Sequence, residues 1–225
     1  MGCVASCFVS VLFEMGKYDG EVMGLCADPG FPVFPPQGMY TVKEKYLLKI
    51  KEKFWTGKED LVIAGENGRK FVQMKAEQFG KKKEELRDLI GLEGVEFAGY
   101  VIDKENMTAH VTTKLGKSQK VILTIKQSGR WSRKPILDMY FHNPTVELDA
   151  VSTEGMSPAL ILRGNFPGKD YAMMFRTEDG YSKLAAVCQQ WEGKSEEGFY
   201  FVDVGTRVDI AMVGICAVII DELYA

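Results

Sequence analysis

The chain has 225 residues, of which 46% are hydrophobic, 26% charged and 11% aromatic, a composition that excludes both a largely disordered chain and a polytopic membrane protein. A chain of this length suits one large domain or a domain plus a tail and buries about 70% of its unfolded surface without disulfide staples. With 28 basic against 31 acidic residues the net charge is −3, so no overall positive field gathers nucleic acid and any anion site must be local.

Five cysteines, an odd number with no C-x-x-C pair, argue against a disulfide framework and a four-ligand zinc site and fit a reducing compartment. The two histidines, His110 and His142, have no carboxylate rhythm between them. A histidine-based metal cluster is therefore excluded, each is expected to be an ordinary strand or loop residue, and no cofactor is expected.

The chain opens Met1-Gly2-Cys3-Val4-Ala5-Ser6, the M-G-x-x-x-[ST] pattern of N-myristoylation. One myristoyl chain binds a membrane only marginally, so a second signal is needed, and palmitate on Cys3 or Cys7 would supply it. The alternatives for the apolar run 3–13 are a signal-peptide core or a buried arm. The first basic residue is Lys17, after that run, which is the wrong order for a secretory signal, and about eleven residues are too few to span a bilayer. In a cytosolic protein the sequon Asn106-Met107-Thr108 stays unglycosylated, and Asn143-Pro144-Thr145 is excluded by its proline.

Residues 28–37 read DPGFPVFPPQ, a stretch that cannot be helical and is expected to run extended between an acylated arm, 1–24, and a domain, 25–225. The first long strand then alternates. Lys43, Lys45, Leu47, Lys49, Lys51 and Lys53 share one face, and Glu44, Tyr46, Leu48, Ile50, Glu52 and Phe54 the other, because successive side chains cross the sheet. Such a lysine face would meet an anionic leaflet at about 1 kcal/mol per residue; the alternative is a solvated outer face protected by lysine. Lys81, Lys82 and Lys83 could extend the patch, but Glu84 and Glu85 blunt it.

Beyond this strand, apolar segments are cut by turn signals at roughly ten-residue intervals, the pattern of an antiparallel sandwich or barrel. Asn67-Gly68 and Asp179-Gly180 supply the positive φ that tight hairpins demand, pairing 61–64 with 71–74 and 171–175 with 181–187. Further strands are predicted at 95–102, 108–113, 119–126, 136–141, 146–151, 158–164 and 198–204. Residues 82–90 are locally helical by propensity and by the spacing of Leu86, Leu89 and Ile90.

The segment 206–224 differs in kind. Eleven residues between Asp209 and Asp221 carry no polar side chain; as a helix they span about 17 Å, well short of a hydrocarbon core of roughly 30 Å. A helix apolar on every face must be buried, and in a β-rich chain the simplest place is inside a barrel. Asp209 at its start suits the helix dipole.

Tyr40-Thr41-Val42-Lys43-Glu44-Lys45, the hairpin from Leu61-Val62-Ile63-Ala64-Gly65 through Asn67-Gly68 to Phe71, and the terminal Val208-Asp209-Ile210-Ala211-Met212 with Ile220-Asp221-Glu222-Leu223 resemble the LURP-one-related family. That family is grouped with the tubby C-terminal domain and the phospholipid scramblases. The resemblance covers 25–225 and implies a closed antiparallel barrel of twelve strands enclosing a hydrophobic C-terminal helix, with 82–91 as a strand leading to a turn. It further implies phosphoinositide binding, as in tubby domains, calcium-dependent lipid movement, as in scramblases, or a part in plant defence.

Catalytic motifs fail on inspection. Gly155-Met156-Ser157-Pro158-Ala159 echoes a nucleophile elbow, but Pro158 has no N–H to give an oxyanion. Gly116-Lys117-Ser118 imitates the end of a P-loop, yet Val111 stands where the first glycine belongs and a strand-like run follows. No segment has EF-hand spacing, and Trp55, Trp131 and Trp191 are read as packing residues. The expectation is a monomeric, non-enzymatic barrel tethered through Gly2, Cys3 and Cys7 to the cytosolic face of a membrane, the plasma membrane foremost, with a cytosolic pool where acylation is incomplete. It would bind anionic phospholipid or phosphoinositide through Lys43, Lys45, Lys49, Lys51 and Lys53, or present a protein partner, with no nucleic acid partner. Scramblase-like lipid movement and a defence or stress adapter are the alternatives.

Overall fold

The computed structural model describes residues 46–51, 60–65, 67–78, 85–91, 94–115, 118–128, 135–143, 145–176, 182–189, 198–205 and 208–225. Twelve antiparallel strands follow one another in order: β1 (Tyr46–Lys51), β2 (Leu61–Gly65), β3 (Lys70–Met74), β4 (Arg87–Ile90), β5 (Glu96–Asp103), β6 (Thr108–Leu115), β7 (Ser118–Ser128), β8 (Ile136–Phe141), β9 (Leu160–Asn165), β10 (Asp170–Arg176), β11 (Ser182–Gln189) and β12 (Phe199–Val204). Each pairs with the next, and β12 returns to β1, Tyr46 opposite Val204 and Ile50 opposite Tyr200. Closure leaves no unpaired strand edge.

The period-two pattern decides which side chains face inward. Leu48 and Ile50 of β1, Leu61 and Ile63 of β2, and Tyr200, Val202 and Val204 of β12 are buried in one continuous core. Their interior is filled by α1 (Ile210–Leu223), all of whose residues are buried. Asp209 caps the helix, its side chain accepting the Met212 N–H at 2.9 Å, which satisfies one of the free donors at the helix start. Gly214 lies in mid-helix, where glycine costs about 1 kcal/mol relative to alanine. The barrel wall explains it: a Cβ there would stand 2.8 Å from Ile63 Cγ2.

The expected barrel and its central helix are as observed. The helix begins at Ile210 rather than 206 because Asp209, in extended conformation, is its cap. The Asn67-Gly68 turn is also as expected: Gly68 has φ +78°, Tyr46 donates from its hydroxyl to Asn67 Oδ1 at 3.1 Å, and the Tyr46 and Phe71 rings meet edge to face. The Asp179-Gly180 turn lies outside the described residues, although β10 and β11 pair as predicted. Local helical propensity at 82–90 yields to the sheet, since Arg87–Ile90 pairs with β5, as the family resemblance implied.

One predicted strand is wrong. Residues 146–151 form a short 3₁₀ turn, Leu148–Ala150, joined to the barrel by the Val121 N–H to Val146 carbonyl bond and a single bridge between Lys120 and Glu147. β8 pairs directly with β9, so the wall closes without this segment and no ladder position remains for it. The arm 1–24, for which acylation is expected, and the two ends of the long strand predicted over 43–54, residues 43–45 and 52–54, fall outside the described residues.

Replacing Ile215, 1% exposed, by Asp places an unpaired charge in the filled barrel, a cost comparable to the whole stability of about 5–15 kcal/mol. Ile215→Asp is expected to abolish the cooperative thermal transition followed by circular dichroism. Ile215→Val, which costs about 1 kcal/mol, is expected to keep it.

Candidate functional site

The outer face of β1 is the part of the predicted lysine stripe that the structure describes. Leu48 and Ile50 point inward, so Lys49 and Lys51 point outward, both half-buried. On the adjoining strand Phe201 lies opposite Lys49 and Phe199 opposite Lys51. The Lys49 ammonium stands 4.2 Å from the centre of the partly exposed Phe199 ring, a cation–π contact. The face therefore combines two cations with an aromatic surface. Lys43, Lys45 and Lys53 of the stripe, and Gly2, Cys3 and Cys7, the residues expected to be acylated, lie outside the described residues.

A second polar group is internal. The end of α1 carries Asp221 and Glu222 inside the barrel, 2% and 6% exposed. Arg87 of β4 meets Glu222 Oε1 at 2.7 Å, and the Tyr100 hydroxyl donates to Glu222 Oε2 at 3.0 Å. Lys169, at the turn before β10, pairs with Asp221 and lies 5.1 Å from the Tyr200 ring centre. Burial first, and then the Glu222 charge, hold the Tyr100 hydroxyl well above its ordinary pKa, so it remains a donor. These pairs tie the helix end to opposite sides of the wall and are closed to solvent, which suits a structural clamp rather than a ligand site. Sequence reading singled out Asp221 as part of the terminal motif but missed Arg87 and Lys169, whose apposition to the helix comes from the barrel alone.

A third arrangement was also missed. His110 of β6 and His142, just beyond β8, converge on Thr124 of β7, with His110 Nδ1 at 2.9 Å and His142 Nε2 at 2.8 Å from Thr124 Oγ1. A hydroxyl can donate to one neutral ring and accept from the other. Burial lowers both imidazole pKa values, and the neighbouring His142 lowers that of His110 further. The only signal in the sequence was the placement of His110 and Thr124 on predicted strands, with His142 directly after a third. Among the described residues no group of three or more His, Cys, Asp or Glu side chains could hold a metal ion, and no helix is long and apolar enough to cross a membrane.

A closed antiparallel barrel threaded by its own C-terminal helix defines the architectural class. The profile of the LURP-one-related family matches residues 46–221, and the chain belongs to that family. Its fold is similar to the crystal structure of a protein from Arabidopsis thaliana, 17% identical, with 90% of this chain and 99% of that chain covered at a TM-score of 0.59. No curated protein matches the chain.

Arg87→Leu strands the Glu222 carboxylate in the interior and is expected to cost about 3–5 kcal/mol in urea denaturation, most of it regained in Arg87→Leu/Glu222→Leu.

The histidine pair makes stability pH-dependent with a definite sign. Because the folded pKa values are depressed, the unfolded chain binds protons first as pH falls through its value of about 6.5. Stability is expected to decline from that point until pH passes the folded values. His110→Gln/His142→Gln is expected to flatten this part of the curve of urea midpoint against pH.

Proposed function

We propose that this protein is a non-enzymatic, tubby-like barrel tethered to the cytosolic face of a membrane, where the outer face of β1 reads anionic lipid. The observation that carries this reading is the outward pair Lys49 and Lys51 beside Phe199, on the first described strand of a chain that opens with Gly2, Cys3 and Cys7. The two halves complement each other in magnitude. A myristoyl chain alone binds with an association constant of about 10⁴ M⁻¹, and each lysine near an anionic leaflet adds about 1 kcal/mol. Phosphoinositide is the favoured headgroup because it concentrates negative charge.

The reading is tested by sedimenting the full chain with vesicles, neutral or containing phosphoinositide, at two salt concentrations, with and without enzymatic myristoylation. Unacylated protein is expected to bind the anionic vesicles in a salt-sensitive way, and Lys49→Gln/Lys51→Gln to weaken that binding by roughly 30-fold, the equivalent of about 2 kcal/mol. Myristoylation is expected to add a salt-insensitive component that Gly2→Ala removes. Absence of the salt-sensitive component would refute lipid reading by the barrel and favour a protein partner. Exchange of labelled lipid between leaflets would favour scramblase-like movement.

A further inference from the structure

β8 ends at Phe141 and β9 begins at Leu160, so eighteen residues, 142–159, connect two strands that are neighbours in the wall. This is the longest connection between consecutive strands; β5 to β6 and β9 to β10 need four residues each. A connection of such length inside a compact domain usually serves function rather than the fold. Its first half is fastened. The Val121 N–H donates to the Val146 carbonyl at 2.8 Å, and Lys120 pairs with Glu147. Its second half is built from two successive turns: Ser152 Oγ accepts the Glu154 N–H, and the Met156 N–H returns to the Thr153 carbonyl, both at 3.2 Å, around Gly155 with φ +74°. Glu154, Gly155, Met156 and Ser157 are all exposed, and the chain rejoins the barrel where the Ala159 N–H donates to the Met139 carbonyl at 2.8 Å.

We propose that Ser157 is a phosphorylation site for a proline-directed protein kinase, and that the phosphate stays in solvent without disturbing the barrel. Of the eight prolines, Pro158 is the one that follows a serine or threonine. Proline has no N–H to donate and biases the residue before it towards extended backbone. The missing N–H, which rules Ser157 out as an elbow nucleophile, also selects the modifying enzyme. A kinase whose cleft requires a hydrogen bond from that position is left with an unpaired acceptor, whereas one with an apolar pocket there accepts the pyrrolidine ring. The extended backbone at Ser157 presents its hydroxyl as a cleft takes up a substrate segment. Residues 135–162 contain no lysine or arginine, so a kinase that reads basic residues finds nothing to grip. In the transfer, Ser157 Oγ attacks the γ-phosphorus of ATP. The new O–P bond forms as the bond from that phosphorus to the bridging oxygen breaks, ADP leaves, and the hydroxyl proton passes to the catalytic aspartate of the kinase. The product carries about −1.5 to −2 charges at pH 7. With Glu147, Asp149 and Glu154 as the charges of its own segment, the phosphate has no nearby cation in sequence to fold onto. The site holds whether or not the barrel reads lipid.

The test incubates the folded full chain with ATP, magnesium and either of two proline-directed kinases, one mitogen-activated and one cyclin-dependent. A cyclic-AMP-dependent kinase, which reads basic residues, is the control, and intact mass with peptide mapping is the readout. One phosphoryl group on Ser157 is expected from the proline-directed enzymes and none at Ser157 from the control. Ser157→Ala is expected to abolish it. Pro158→Ala is expected to abolish it with the serine still present, which separates recognition of the pair from exposure alone. The thermal midpoint of the phosphorylated chain is expected to match that of the unmodified one. Phosphorylation of a peptide of residues 150–164 but not of the folded chain would overturn the site, as would modification of other residues alone, undiminished labelling of Pro158→Ala, labelling of Ser157 by the control, or no labelling. A lowered midpoint would overturn the solvent placement of the phosphate.

Discussion

Everything else in this molecule depends on the mutual burial of α1 and the barrel. A helix with no polar side chain between Asp209 and Asp221 has no stable place in water, and a ring of twelve strands whose inward positions are mostly apolar has no stable interior if left hollow. Each solves the other's problem. The contact is close enough that one helical position must be glycine, since Ile63 occupies the space that a Cβ at Gly214 would need. The helix is therefore the core of the domain, although it follows all twelve strands in the chain.

Apolar burial alone does not fix how far such a helix slides along the barrel axis, because one aliphatic turn packs much like the next. The polar groups at its two ends supply that registry. Asp209 caps the first turn, while Asp221 and Glu222 reach Lys169 and Arg87 on well-separated parts of the wall. Buried ion pairs contribute little net stability relative to apolar packing, but a displaced partner is costly. That combination suits a device that selects one position among many similar ones.

The outer surface follows a different logic. Where the wall faces water it presents Lys49 and Lys51 beside Phe199, and on β6 to β8 the His110, Thr124 and His142 chain. Where it crosses β10 to β12 its outward positions, Ala172, Met174, Val187 and Phe201, are apolar and buried.

Much of this was legible in the sequence. Alternation in 46–51 and 199–204, the Asn67-Gly68 turn and the uninterrupted apolar run of 210–220 are local patterns, and local patterns report which face of a strand or helix is buried. Residues 146–151 misled because the same alternation occurs where no ladder position remains, whereas at 87–90 the strand implied by the family resemblance holds against local helical propensity, which is weak beside the pairing offered by β5. The pairing of Arg87 with Glu222, of Lys169 with Asp221 and of two distant histidines with Thr124 could not be read at all. The sequence by itself determined a β-rich domain with one helix that had to be hidden. Only the tertiary structure decided which polar residues meet, because barrel closure joins residues by strand order and register, and neither is written in the spacing of any single segment.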